Sequence, residues 1–256
     1  MKRWKKRAYS IACGVFGLIQ LVQPGGLYGQ SDSTLMSKLI NRTNISGQWF
    51  LAWQYKQSDE SNLFLFKRGY FNVATKMSDN FSLRFTQDIT LDEEGMDAGN
   101  VEMRLKYLYL KAKPANSGFL RNSYFELGLV HRPWLSFVED VNRYRVQGTM
   151  FAERYKVVNS ADFGVLFVCL LGNGLNEEYQ KNVSKNLPGK YGSFSLGLFN
   201  GGGYHAIEYN NNKTIEGRLS LRPLPEQMPG LQGNYAFAFG KGNTTLSPDF
   251  EMNLFA

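Results

Sequence analysis

The chain has 256 residues, 14 % of them aromatic, with 29 Lys and Arg against 22 Asp and Glu and a formal net charge of +7. Five of the basic residues, Lys2, Arg3, Lys5, Lys6 and Arg7, crowd the first seven positions, which leaves about +2 for the remainder and excludes the strongly basic surface expected of a nucleic-acid partner. Cys13 and Cys169 are the two cysteines, too few for a disulfide-stapled scaffold.

The basic cluster precedes a mostly apolar run from Ala8 to Val22 and the break Pro24-Gly25-Gly26. That order is the n-region, h-region and exit of a secretory signal. The run falls short of the ~20 residues of a spanning helix, and Ser10-Ile11-Ala12-Cys13 is a poor lipoprotein site. Residues 1–29 are therefore expected to be a signal peptide cut near Gly29, and residues 30–256 one domain. Processing would leave Cys169 alone, with no internal disulfide.

The domain reads as strands. From Ile45 the odd positions Ile45, Gly47, Trp49, Leu51, Trp53 and Tyr55 are apolar or aromatic, while Ser46, Gln48 and Gln54 oppose them. After the turn cluster Ser78-Asp79-Asn80, Phe81, Leu83, Phe85 and Ile89 oppose Ser82, Arg84, Thr86, Asp88 and Thr90. A period of two separates these sets, whereas a helical period would mix them. Val101, Met103, Leu105, Tyr107 and Tyr109 likewise oppose Glu102, Arg104 and Lys106, and Ile215, Gly217, Leu219 and Leu221 oppose Thr214, Glu216, Arg218, Ser220 and Arg222. Further strands are expected over residues 63–77, 123–130, 161–171, 191–200 and 231–239, and another begins at Asp249 with Phe250, Met252 and Leu254 in phase.

About ten strands of this kind fit an all-β, antiparallel transmembrane barrel of the outer-membrane type. A soluble sandwich or small ligand-binding barrel also alternates. Three features favour the membrane: short turns alternating with long polar loops, Trp, Tyr and Phe near strand ends, and full charges in mid-strand on the polar faces. The partners expected are then outer-membrane lipid and small hydrophilic solutes, in a Gram-negative outer membrane.

If the first strand rises from the periplasm, residues 57–62 are external, 78–80 is a periplasmic turn, and the acidic stretch Leu91 to Asn100, with Asp92, Glu93, Glu94 and Asp97, is external. The third external connection, His131 to Asn159, is the longest and calls for a function. Folded inward it would form a constriction carrying Arg132, Glu139, Asp140, Arg143, Arg145, Glu153, Arg154 and Lys156; mixed charges there would set up a transverse field. A solvated surface loop, or one holding an extra strand, is the alternative. The stretch Gly172 to Lys190 is long for a periplasmic connection, so it is either an insertion or a slip in the strand count.

Arg84, Arg104, Lys106, Arg218 and Arg222 are the expected pore-lining residues. Paired guanidinium donors suit phosphate and other oxyanions. Asp88, Glu102 and Glu216 share those faces, which leaves a weakly selective pore with internal ion pairs as the alternative.

The ordered set Pro133-Trp134, Tyr144, Phe151-Ala152-Glu153-Arg154, Ser160-Ala161-Asp162-Phe163-Gly164, Phe199-Asn200-Gly201 with Gly203-Tyr204, Glu208, Lys213, Gly217-Arg218-Leu219, Arg222-Pro223-Leu224-Pro225 and Gly230-Leu231 resembles the phosphate-selective porin O and P superfamily, particularly its Bacteroidetes-type members. Each motif is short, and together they touch about half of the mature chain. The resemblance implies a sixteen-stranded barrel, often a homotrimer, that passes small hydrophilic solutes, with anions or phosphate preferred in some members. The chain departs from that pattern by reaching only about ten strands and by ending Phe255-Ala256, so a truncated member is expected.

Enzymatic chemistry and cofactors are not expected. His131 and His205 are the only histidines, and neither sits in a nucleophile, zinc or base motif. Gly201-Gly202-Gly203 lacks the lysine and helix of a phosphate loop and reads as a flexible turn. A diffusion porin is thus the leading expectation. A non-conducting surface barrel for adhesion or display is the alternative.

Overall fold

Ten strands run antiparallel in chain order, each hydrogen-bonded to the next, so the sheet is one continuous meander. A computed structural model describes residues 37 and 39–256, except 59, 93–95, 97, 116 and 117. The expected signal segment and Glu93, Glu94 and Asp97 of the acidic loop lie outside the described residues. Residues up to 40 and residues 41–256 are separate units, and all ten strands belong to the second.

The strands are β1 (Thr43–Lys56), β2 (Ser61–Lys76), β3 (Phe81–Leu91), β4 (Val101–Ala112), β5 (Leu120–His131), β6 (Ala161–Leu171), β7 (Gly192–Phe199), β8 (Thr214–Leu221), β9 (Gly233–Lys241) and β10 (Asp249–Phe255). Among the described residues three short helices lie in the connections: α1 (Pro133–Val141), α2 (Phe151–Arg154) and α3 (Glu177–Asn182). The sheet is open among the described residues, because β1 pairs only with β2 and β10 only with β9.

One face of the sheet is apolar and uncovered. Trp49, Leu51 and Trp53 of β1, Phe64 of β2, Leu196 and Leu198 of β7 and Ile215 of β8 are all exposed, Phe64 to 90 %. The other face buries polar groups: Thr86 and Asp88 of β3, Ser193 and Ser195 of β7, and Thr214, Glu216, Arg218 and Ser220 of β8. This arrangement inverts a soluble sheet, in which the apolar side is the covered one. Aromatic rings shield glycine backbone on the exposed face, since a Cβ at Gly217 would meet the Phe237 ring at 2.5 Å.

Two bulges decide which side chains share a face. The β3–β4 register slips between Thr86 and Gln87, so Thr86 faces Tyr107 and Gln87 faces Leu105, with Lys106 left over. A bulge adds one residue and reverses the phase beyond it. Tyr107 and Tyr109 therefore turn to the covered polar face with Lys111, which corrects their expected place beside Val101, Met103 and Leu105. The β1–β2 register slips in the same way at Lys67.

β10 departs from the alternation too. Met252 pairs with Ala238 and packs in a buried cluster with Leu135, Met150, Ala152 and Val158, flanked by Phe250, Leu254 and Trp134. Its in-phase apolar residues thus face the covered side, and Glu251 and Asn253 face outward. A second cluster joins Tyr107, Tyr109, Val130, Leu166, Val168 and Phe199 with Tyr204.

Contacts across the covered face show that the sheet curls around it. Tyr204, after β7, donates its hydroxyl to Asp88 of β3 at 2.9 Å. The nine-residue α1, about 13 Å long, touches β4 through Glu139 and β8 through Arg132 just ahead of it.

The stretch 172–190 is an insertion and the strand count does not slip there. It holds α3, capped by the Asn176 side chain accepting from the Tyr179 amide, and closes through a bridge between Gly174 and Gly189. The triple glycine is tied down: Gly201 N–H donates to Asp162 at 2.6 Å and Gly202 N–H to Glu208 at 3.2 Å.

Candidate functional site

The loop between β5 and β6 roofs the polar face. Neither a bare loop nor an extra strand, it contains α1 and α2. Pro133 opens α1, where its missing N–H costs nothing. Leu135 and Val138 point into the cluster with β9 and β10, while Glu139 points to β4. Arg132, at the root of the loop, pairs with Glu216 of β8. Both side chains are only 4 % exposed, so this is a buried ion pair that pins the roof to the sheet.

Beneath the roof the polar groups form linked clusters. Asp88 takes Arg68 at 3.4 Å and Arg104 at 3.3 Å besides Tyr204. Burial, with the Asp88 carboxylate next to it, raises the Tyr204 hydroxyl above its ordinary value, so that it stays protonated and donates. Lys106 and Arg145 both reach Glu139 at 3.2 Å, and both also reach the Tyr70 hydroxyl, at 3.2 and 3.4 Å. Burial alone would raise Glu139, but Lys106 and then Arg145 outweigh it and hold the carboxyl below its ordinary value. Glu126 bonds His131 at 2.8 Å and Lys111 at 3.0 Å, and Arg84 approaches the far nitrogen of His131 at 3.3 Å.

Between the roof and the sheet lies a cavity of about 340 Å3, lined among others by Arg84, Tyr124, Glu126, His131, Asp140 and Arg218. Arg218 is 1 % exposed. Its guanidinium donates to the hydroxyls of Ser193 and Ser220 and lies 4.9 Å from the Phe137 ring centre.

Of the expected pore-lining residues, the structure brings Arg84, Arg104, Lys106 and Arg218 to the covered face. Arg222 falls one residue beyond β8 and serves another place: it donates to the Gly189 carbonyl and, at 2.9 Å, to Gln232, tying the insertion to the next connection. Of the expected constriction residues, Arg132, Glu139 and Arg145 are held in the clusters above. Asp140 stands at the cavity rim, and Glu153 is half-buried. Arg143, Arg154 and Lys156 are exposed, Arg154 spending a donor on the Thr149 carbonyl at 2.9 Å.

Sequence reasoning passed over Arg68, Tyr70, Glu126, Ser195 and Tyr204. Glu126 was findable, since it alternates with Phe125 and Leu127. Arg68 was not, because the bulge at Lys67 conceals its phase. Comparison with protein-family models, with curated proteins and with solved structures gave no match for this chain.

Proposed function

We propose that the ten strands are wall of an outer-membrane porin, through which small hydrophilic solutes diffuse after the chain has been exported by its N-terminal signal. The observation that carries this reading is the inverted sheet: Trp, Phe and Leu side chains stand exposed on one face while charged and hydroxyl groups are buried on the other. In water that arrangement wastes apolar burial on a face of ten strands. In a bilayer it is the required one. β1 to β6 run 11 to 16 residues, enough to cross the hydrocarbon with tilt. In lipid the two free edges of the sheet would have to be paired, because an open edge there is costly. The reading extends to the phosphate-selective porin O and P superfamily that the ordered motifs resemble, with its frequent trimers.

The charge balance favours a modest preference for anions. Arg68 and Arg104 share Asp88, Lys106 and Arg145 share Glu139, and Arg84 and Arg218 have no carboxylate in ion-pair reach among the described residues. Most cations are thus partly neutralised, and a small positive surplus remains to attract anions. The complete protein in planar bilayers should give stepwise conductance with a reversal potential on the anion side. Persistent silence from folded oligomers would favour a display barrel, a reading supported by the way α1 and its ion pairs fill the polar face.

A further inference from the structure

We propose that the cavity beneath α1 is a binding site for a small organic acid of monosaccharide size, its carboxylate on Arg218 and its body against Tyr107, Tyr109 and Tyr124. The route by which such a ligand arrives rests on the pore reading; the site itself does not.

Arg218 is a fully buried cation held by two serine hydroxyls and a ring, with no carboxylate in reach among the described residues. Its Nε has no hydrogen-bond partner. A buried charge without a counter-charge is strongly unfavourable, and the planar guanidinium fork fits a carboxylate through paired donors. The neighbouring cation Lys111 is already engaged by Glu126.

Two more polar atoms on the same cavity are orphaned. The Ser195 hydroxyl and the Tyr107 hydroxyl are buried without a partner, and both residues line the space along with Arg218. Buried polar groups are nearly always bonded, so three residues that line one void and each carry an unpartnered polar atom point to a polar guest. The volume, about 340 Å3, is that of a small-molecule site and far exceeds what a bare oxyanion fills. The wall suits a body as well as an acid group: three tyrosines with Leu166 and Val168 offer apolar surface, and Glu139 and Asp140 on α1 accept from ligand hydroxyls.

The test is isothermal titration of the full chain folded in detergent, at fixed ionic strength, with glucuronate, glucose and inorganic phosphate in turn. Glucuronate should bind saturably and at least about tenfold more tightly than either, as expected for one charged hydrogen-bonded contact plus a fitted body. Arg218→Met should abolish this. Tyr107→Phe and Ser195→Ala, whose hydroxyls have no partner among the described residues, should keep the fold and each weaken glucuronate severalfold. The proposal is overturned if glucuronate gives no saturable heat, if phosphate binds equally well, or if Tyr107→Phe and Ser195→Ala both leave affinity unchanged. Saturable glucuronate binding by a protein that conducts nothing would refute the pore and leave the site standing.

Discussion

The roof should be coupled to the sheet through Arg132 and Glu216, and a double-mutant cycle measures that coupling. Each side chain is 4 % exposed, and the Arg132 amide also donates to the Ser160 carbonyl at 3.1 Å, so the residue sits where the roof leaves and rejoins the sheet. Arg132→Met removes the guanidinium, whose carbon lies 6.0 Å from the Phe199 ring centre, and strands the Glu216 carboxylate; Glu216→Met strands the guanidinium. Removing one partner of a buried pair costs about 3–5 kcal/mol, whereas replacing both with apolar groups of like volume is often close to neutral. The double variant should therefore be more stable than either single one, with a coupling energy of at least about 2 kcal/mol. Urea unfolding in detergent gives the stabilities. Trypsin cleavage at the exposed Arg143 gives the docking of the roof, and both single variants should be nicked faster than the parent. Single losses below about 1 kcal/mol that simply add would refute a buried, mutually dependent pair.

Acid should loosen the same roof from its other side. Glu139 is held below its ordinary value of 4.5, so its contribution is complete above that value and is lost as pH falls through the depressed one. Pepsin digestion at the exposed Tyr144 should speed up as the pH falls through the depressed value of Glu139, and Glu139→Gln should flatten that rise while letting trypsin nick Arg143 faster than in the parent at neutral pH. Gly192 sits at φ +118 with the Ser220 carbonyl oxygen where a Cβ would stand, so Gly192→Ala should lower stability by at least about 1–3 kcal/mol, read as a shift in the urea midpoint. Arg84→Glu should move the reversal potential in a salt gradient toward cations, since Arg84 has no carboxylate partner among the described residues to mask the change; an unmoved potential would take Arg84 out of the conduction path.

Strand positions were legible because alternation is a local signal. β6 was expected at its observed bounds and β3, β4, β8 and β10 at their observed starts, with the remaining ends displaced by a few residues. What escaped was set by distant neighbours. The phase of Tyr107 depends on a bulge at Lys106 that the residues of β4 do not announce. The inward turn of Phe250, Met252 and Leu254 is decided by α1 waiting on that face, not by β10 itself. α1 is nine residues long, too short to hold alone, and it exists because Leu135 and Val138 find that cluster. The ion pairs were half visible: Glu216 stood out on its strand, but its partner lies 84 positions away. Of the residues expected to line a pore, Arg104 and Lys106 are bound to carboxylates, while Arg84, Arg218 and Arg222 are bound to neutral groups, partners that only folding brings to them.

The claim beneath the whole account is that the exposed apolar face meets lipid. Its direct test uses single cysteines along β8 and β7, in a background carrying Cys13→Ala and Cys169→Ala, on the complete protein in vesicles. A fluorescent label at Ile215→Cys, Leu196→Cys or Leu198→Cys should be quenched by brominated acyl chains, and one at Thr214→Cys or Ser195→Cys should not. Labels at both sets quenched only by aqueous iodide, with none responding to brominated lipid, would contradict the account.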